Sequence, residues 1–85
     1  MIPDPRAAAV DWVRRALEDE LRDDPTLTTR AENLVAIAEH YSIGIELLVK
    51  WIHTPARGKR WTAAEFRRWC EQFRRSVDPP ADLRQ

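Results

Sequence analysis

Apolar residues recur at three- and four-residue intervals in four stretches of the chain, and this pattern predicts four helices. In the first, Val10, Val13, Leu17 and Leu21 share a face, with Ala9, Trp12 and Ala16 beside them. Asp4 precedes Pro5, an N-cap followed by a residue whose missing N–H costs nothing in a first turn. Carboxylates from Glu18 to Asp24 crowd the far end, against the helix macrodipole, and Pro25 is the expected stop. The second helix is expected to enter through a capping box, Thr29-Arg30-Ala31-Glu32, and to present Leu34, Ile37, Ala38 and Tyr41 inward. Ser42-Ile43-Gly44 breaks the pattern as a tight turn. A third helix follows with Leu47, Leu48, Trp51 and Ile52 on its apolar side, then a loop through Thr54-Pro55-Ala56-Arg57-Gly58. Thr62-Ala63-Ala64-Glu65 is a second capping box, opening a helix with the stripe Phe66, Trp69, Cys70, Phe73 and Val77. Arg67, Arg68, Arg74 and Arg75 lie away from that stripe.

These elements predict an all-α fold: a compact bundle of about four helices in a single domain over residues 1–77. Asp78-Pro79-Pro80 ends the last helix, and 78–85 reads as a disordered tail. Eighty-five residues allow only a modest core. No apolar run approaches the length of a membrane span. The start, Met1-Ile2-Pro3-Asp4-Pro5, lacks the basic-then-apolar pattern of a signal peptide, and a single cysteine fits a reducing compartment. A cytoplasmic location without membrane contact is therefore expected.

Charge changes the picture more than composition does. The chain is neutral overall, but residues 1–49 hold five Arg against ten Asp and Glu, a net of −5. Residues 50–77 hold eight Lys and Arg against Glu65 and Glu71, a net of +6. Such segregation suggests an anionic partner for the basic half, or neutralisation of one half by the other across the fold.

Residues 34–53, two short helices around a turn of about three residues, meet the requirement of a helix-turn-helix. Small Ala38 permits close approach, and Tyr41, Ile43, Leu48 and Trp51 are the anchors that set the crossing. The segment resembles the helix-turn-helix superfamily, and in particular small transposase-subunit and excisionase-like DNA-binding domains. In these an apolar–Ala–apolar–Ala helix meets a turn and then a helix ending in Trp-apolar. The resemblance covers about residues 29–61, with the motif at about 30–53 and Thr62–Phe73 similar to the helix that follows a short wing. Residues 53–61 would occupy that wing. Two positions depart from the family pattern, Ser42 where Gly is usual and Gly44 where a Ser or Thr cap is usual.

The resemblance implies that the outward positions of the third helix meet DNA. Here they are Ile45, Glu46, Val49, Lys50 and His53, and a carboxylate among them repels phosphate. The basic loop offers more: Arg57, Lys59 and Arg60, with Lys50 and His53, would contact double-stranded DNA. The expected function is that of a DNA-binding accessory or regulatory protein of a bacterium, phage or mobile element. The alternative is a protein-interaction module, adaptor or inhibitor, using Ile45, Glu46 and Val49, with a homodimer compatible with either.

Other chemistry is sparse. His40, His53 and Cys70 match no zinc spacing, so no metal or cofactor is expected. There is no Ser–His–acid order, Gly-rich phosphate loop or inward carboxylate pair, and no enzyme is expected. Cys70 reads as a buried thiol. Trp12, Trp51 and Trp69 fall on apolar stripes and read as core. Trp61 either stacks on a nucleic-acid base or closes the core beneath the loop, as a residue paired with Phe66 across the start of the fourth helix.

Overall fold

The first helix starts as its sequence dictates: the Asp4 carboxylate accepts the Arg6 N–H at 3.0 Å, and Pro5 occupies the first turn. In the computed structural model, which describes residues 4–77, four helices and no strand occur among those residues. They are α1 (Pro5–Glu20), α2 (Leu27–His40), α3 (Ile45–His53) and α4 (Ala63–Val77). The fold class is all-α, as the periodicity predicts. The tail at 78–85 and the Val77 side chain lie outside what is described. No helix is long and apolar enough to cross a membrane.

Two boundaries differ from expectation. Helix α1 ends at Glu20, ahead of Pro25: the last turn holds no basic residue to offset its carboxylates, Leu21 turns extended, and Asp23 takes a left-handed φ of 59°. Helix α2 then starts at Leu27, so Thr29 and Glu32 fall inside it and form no cap. The competing signal is Asp24. Its Oδ1 accepts the Thr26 N–H at 2.8 Å and the Thr26 hydroxyl at 2.6 Å, while its Oδ2 meets the Arg30 Nε at 3.0 Å. The Thr26 hydroxyl, the Thr26 N–H and the Arg30 charge together lower the Asp24 pKa, outweighing its partial desolvation.

The turn between α2 and α3 is a left-handed helix stop. Ser42 has φ 56°, the Ser42 N–H donates to the Glu39 carbonyl at 3.2 Å, and the Ile43 N–H donates to the Ala38 carbonyl at 2.8 Å. This folds Ile43 into the core and delivers Gly44, in extended backbone, as the N-cap of α3. The α4 box forms as predicted. The Thr62 N–H and hydroxyl donate to Glu65 Oε1 at 2.8 and 3.1 Å, and the Glu65 N–H donates back to the Thr62 hydroxyl at 3.2 Å.

The buried side chains form one cluster. Val13, Ala16 and Leu17 come from α1, and Ala31, Leu34, Val35, Ile37 and Ala38 from α2. Ile43 joins them from the turn, Leu48, Trp51 and Ile52 from α3, and Phe66 and Cys70 from α4. Each large apolar side chain removed from water contributes about 1.5–3 kcal/mol before conformational entropy is charged against it. Helix α1 packs on α2 and α3, whereas α4 packs on α2. The Arg6–Glu39 pair sets α1 antiparallel to α2. Contacts of Trp61 with Arg30 and of Glu71 with Tyr41 set α4 parallel to it. One core expectation fails: Trp12 is 46% exposed, because Val13, Ala16 and Leu17 define the buried stripe of α1 and Trp12 projects past its edge.

Candidate nucleic-acid interface

The outward face of α3 is narrower than its sequence suggests. Glu46, Lys50 and His53 are exposed, but Ile45 and Val49 are half-buried and packed against the core. Ile45 shares a groove with Pro5 and Ala9 of α1 and Val35 of α2. The pair expected to be exposed as a protein contact is thus half-buried, with Ile45 still lining a surface groove. The His53 Nδ1 lies 3.3 Å from Glu20 Oε1, tying the end of α3 to the end of α1.

Past α3 the chain forms no wing strands. It makes a turn over Ala56–Lys59, closed by the Lys59 N–H on the Ala56 carbonyl at 3.2 Å, with Gly58 at φ 74°. The three basic residues of this loop separate. Arg57 and Arg60 are exposed. Lys59 turns inward: its ammonium donates to the carbonyls of Trp51, Ile52 (3.2 Å) and Thr54 (2.9 Å). It lies 4.4 Å from the centre of the Trp51 ring and 5.4 Å from that of Trp61. Burial lowers its pKa, opposed by the charges of Glu20 and Glu65. Lys59 thus belongs to the interior of the loop.

Trp61 is half-buried, with φ 56°, and its indole N–H donates to the Ile52 carbonyl at 2.8 Å. Of its two sequence readings, the structure places it against the core. The other aromatic rings are occupied with one another. Phe66 contacts Trp51 at 5.0 Å and stacks on Trp69 at 5.7 Å, and Trp69 stacks on Phe73 at 5.1 Å. Trp69 follows Phe66 by three residues and precedes Phe73 by four, so its two faces meet rings of its own helix.

Helix α4 supplies the residues that the sequence reading kept off its site. Arg67, Arg68, Arg74 and Arg75 are all exposed. Their signal was the repeat of an Arg-Arg pair after seven residues, which returns each arginine to the same side of a helix. Glu71 sits four residues after Arg67 and four before Arg75, where it could pair with either. It instead accepts the Tyr41 hydroxyl at 3.1 Å. Burial, then that hydrogen bond and the Glu71 charge, raise the Tyr41 pKa.

The ion pairs divide the molecule accordingly. Four of the five arginines of residues 1–49 are paired: Arg6 with Glu39, Arg14 with Asp11 and Glu18, Arg15 with Asp11, and Arg30 with Asp24, at 3.0–3.5 Å. Among the described residues, none of Lys50, Arg57, Arg60, Arg67, Arg68, Arg74 and Arg75 has a carboxylate within ion-pair distance. Cys70 has no exposed surface, and its thiol pKa is pushed up to about 11 by burial and the Glu71 charge. No three His, Cys, Asp or Glu among the described residues are grouped to hold a metal ion. Compared with protein families, curated proteins and solved structures, the chain matches none.

Proposed function

We propose that the protein binds double-stranded DNA through its phosphate backbone, as a small accessory or regulatory protein. The supporting observation is the set of exposed cations from Lys50 through the α3–α4 loop and along α4, left without carboxylate partners among the described residues. Phosphate contacts position a protein on a duplex without reading sequence. Sequence tolerance follows from the face of α3, where Glu46 repels phosphate and Lys50 and His53 are the only groups suited to a groove edge. Occupied aromatic faces favour duplex over single-stranded DNA, whose binding draws on base stacking.

Fluorescence anisotropy against a labelled random duplex, over a series of salt concentrations, tests this reading. Micromolar binding is expected, weakening with salt by a log–log slope of about −0.9 for each phosphate neutralised. Replacing Arg57, Arg60, Arg68 and Arg75 together by Ala is expected to abolish it. Absence of binding by the wild-type chain at low salt overturns the proposal. One observation favours the protein-interaction reading instead, and it lies on α1: Trp12, the one exposed large hydrophobic among the described residues. If Trp12→Ala abolishes capture of a protein partner while DNA binding is absent, that reading prevails.

A further inference from the structure

The end of α3 has a hydrogen-bonding deficit written into its sequence. A continuing helix would satisfy the Trp51 carbonyl with the N–H of residue 55, but residue 55 is proline and has none. The Ile52 carbonyl likewise loses its partner when the chain leaves the helix at Thr54. Thr54 meets part of the need: its N–H donates to the Lys50 carbonyl at 3.0 Å and, more weakly, to the Trp51 carbonyl at 3.3 Å, and its hydroxyl donates to the Lys50 carbonyl at 2.7 Å. The rest comes from the loop. The Trp61 indole takes the Ile52 carbonyl, and the Lys59 ammonium takes those of Trp51, Ile52 and Thr54.

We propose that Lys59 is a positioning residue, a cationic latch that closes the α3–α4 loop onto the end of α3 and thereby fixes the presentation of Arg57 and Arg60. An ammonium has three N–H donors, and three carbonyls receive them. None is left for a phosphate. The charge also sits at the negative pole of α3, against the face of one indole and beside a second, where a cation is stabilised. Arg57 lies inside the turn that Lys59 closes, and Arg60 adjoins it, its N–H bonded to the Glu65 carboxylate at 3.0 and 3.1 Å. The loop is thus held at both ends, by Lys59 on α3 and by Glu65 on α4, with its two arginines directed outward between them. The effect on binding rests on the DNA reading above; the latch itself does not.

Two measurements separate those parts. Lys59→Met keeps an unbranched side chain, one atom shorter, and removes its donors. Amide hydrogen exchange is expected to accelerate at residues 56–62 by about tenfold or more, while the core amides of α2 keep their protection. In the DNA titration the same variant is expected to lose about 1.8 from the magnitude of the salt slope, the share of the two arginines it positions, Arg57 and Arg60. A loss of only about 0.9 would mark Lys59 as one phosphate contact among several and overturn the proposal. So would unchanged exchange in the loop. A wild-type chain that does not bind DNA removes the second readout and leaves the exchange result to decide the latch. Should the variant fail to fold, the wild-type protein still decides. Its only lysines are Lys50 and Lys59, and amine acylation followed by peptide mass spectrometry is expected to modify exposed Lys50 well before Lys59. The lowered pKa of Lys59 would by itself hasten its reaction, so a slower rate reports its engagement with the carbonyls, and equal rates overturn the latch.

Discussion

Helices α1 to α3 and the segment from Thr54 to Val77 solve different problems with similar residues. In the first region three helices share a core, and four of the five arginines are neutralised, two by acids three or four places away on α1, Arg30 by Asp24 and Arg6 by Glu39 at the end of α2. In the second a single helix lies along α2, fastened by Phe66 and Cys70, and among the described residues its arginines are left open while its two carboxylates are engaged elsewhere, Glu71 by Tyr41 and Glu65 by Thr62. Exposed ion pairs add little stability, so releasing them costs the fold little. What the second region gains, among the described residues, is a concentration of positive charge without ion-pair partners, which the proposed nucleic-acid partner would use. Stability and candidate binding surface are therefore carried by different stretches of one small chain.

The sharpest way to break that division is at Phe66, where the second region is fastened to the first. Its ring has no exposed surface and meets Trp51 of α3 and Trp69 of α4. Phe66→Ala is expected to cost about 3–5 kcal/mol, measured by urea or guanidinium unfolding. That is a large part of the roughly 4–13 kcal/mol that a chain of this size commands. Ile45→Ala, at a half-buried position, is expected to cost distinctly less. Equal losses would mean that α4 is no more dependent on one anchor than α3 is.

A smaller effect compares the two capping boxes of the sequence. Thr62→Ala is expected to cost about 1 kcal/mol, because the box at α4 is formed. Thr29→Ala is expected to stay within about 0.5 kcal/mol, because Thr29 lies inside α2 with no capping role. Glu65 gives the same comparison a pH axis. Burial by itself would raise its pKa, but hydrogen bonds from the backbone of Thr62 and Arg60, with the Thr62 hydroxyl and the Lys59 charge, bring it below its usual 4.5. A carboxylate whose pKa is lowered by folding stabilises the fold above its unfolded value, and that stability is lost as pH falls through the folded one. Thermal unfolding from pH 7 downward should therefore show a loss beginning near pH 4.5 that Glu65→Gln flattens. An identical pH profile in the variant would show that the box contributes nothing through its charge.

The contrast between those boxes also shows where sequence reasoning reaches its limit. Periodicity placed all four helices, and most of the residues it aligned inward are buried or half-buried. Local cap signals were ambiguous where they competed. Asp24 and Thr29 lie five residues apart, and Asp24 prevails because its carboxylate engages both Thr26 and Arg30. Trp12 reads as core by residue type and is exposed by angle, since the stripe is set by its smaller neighbours. In the sequence Lys59 groups with Arg57 and Arg60, because charge is visible there and direction is not. Its inward turn was foreshadowed only by Pro55, four residues beyond the carbonyl that Lys59 completes. The helix-turn-helix resemblance and the DNA contacts attached to it concern partners, and no partner is decided by packing alone.

The finest comparison lies inside the first region, in the turn from α2 to α3. Ser42 occupies a left-handed conformation that disfavours any residue with a Cβ, whereas Gly44 caps α3 in extended backbone that any residue adopts. The two residues stand at each other's preferred positions. Ser42→Gly relieves the left-handed strain and gives back part of that gain to the larger entropy of the unfolded chain, leaving an expected stabilisation of about 0.5 kcal/mol. Gly44→Ser supplies a hydroxyl for the first amides of α3, and a Cβ there meets nothing within 4 Å, so a gain of a few tenths of a kcal/mol is expected. The sites are two residues apart yet draw on separate terms, one backbone strain and the other an unfilled cap. The double variant is therefore expected to raise the melting temperature by about the sum of the two single changes, on the order of 3–6 °C. A gain from Gly44→Ser alone would show that Ser42 is held in its left-handed turn without strain, by the two hydrogen bonds that stop α2.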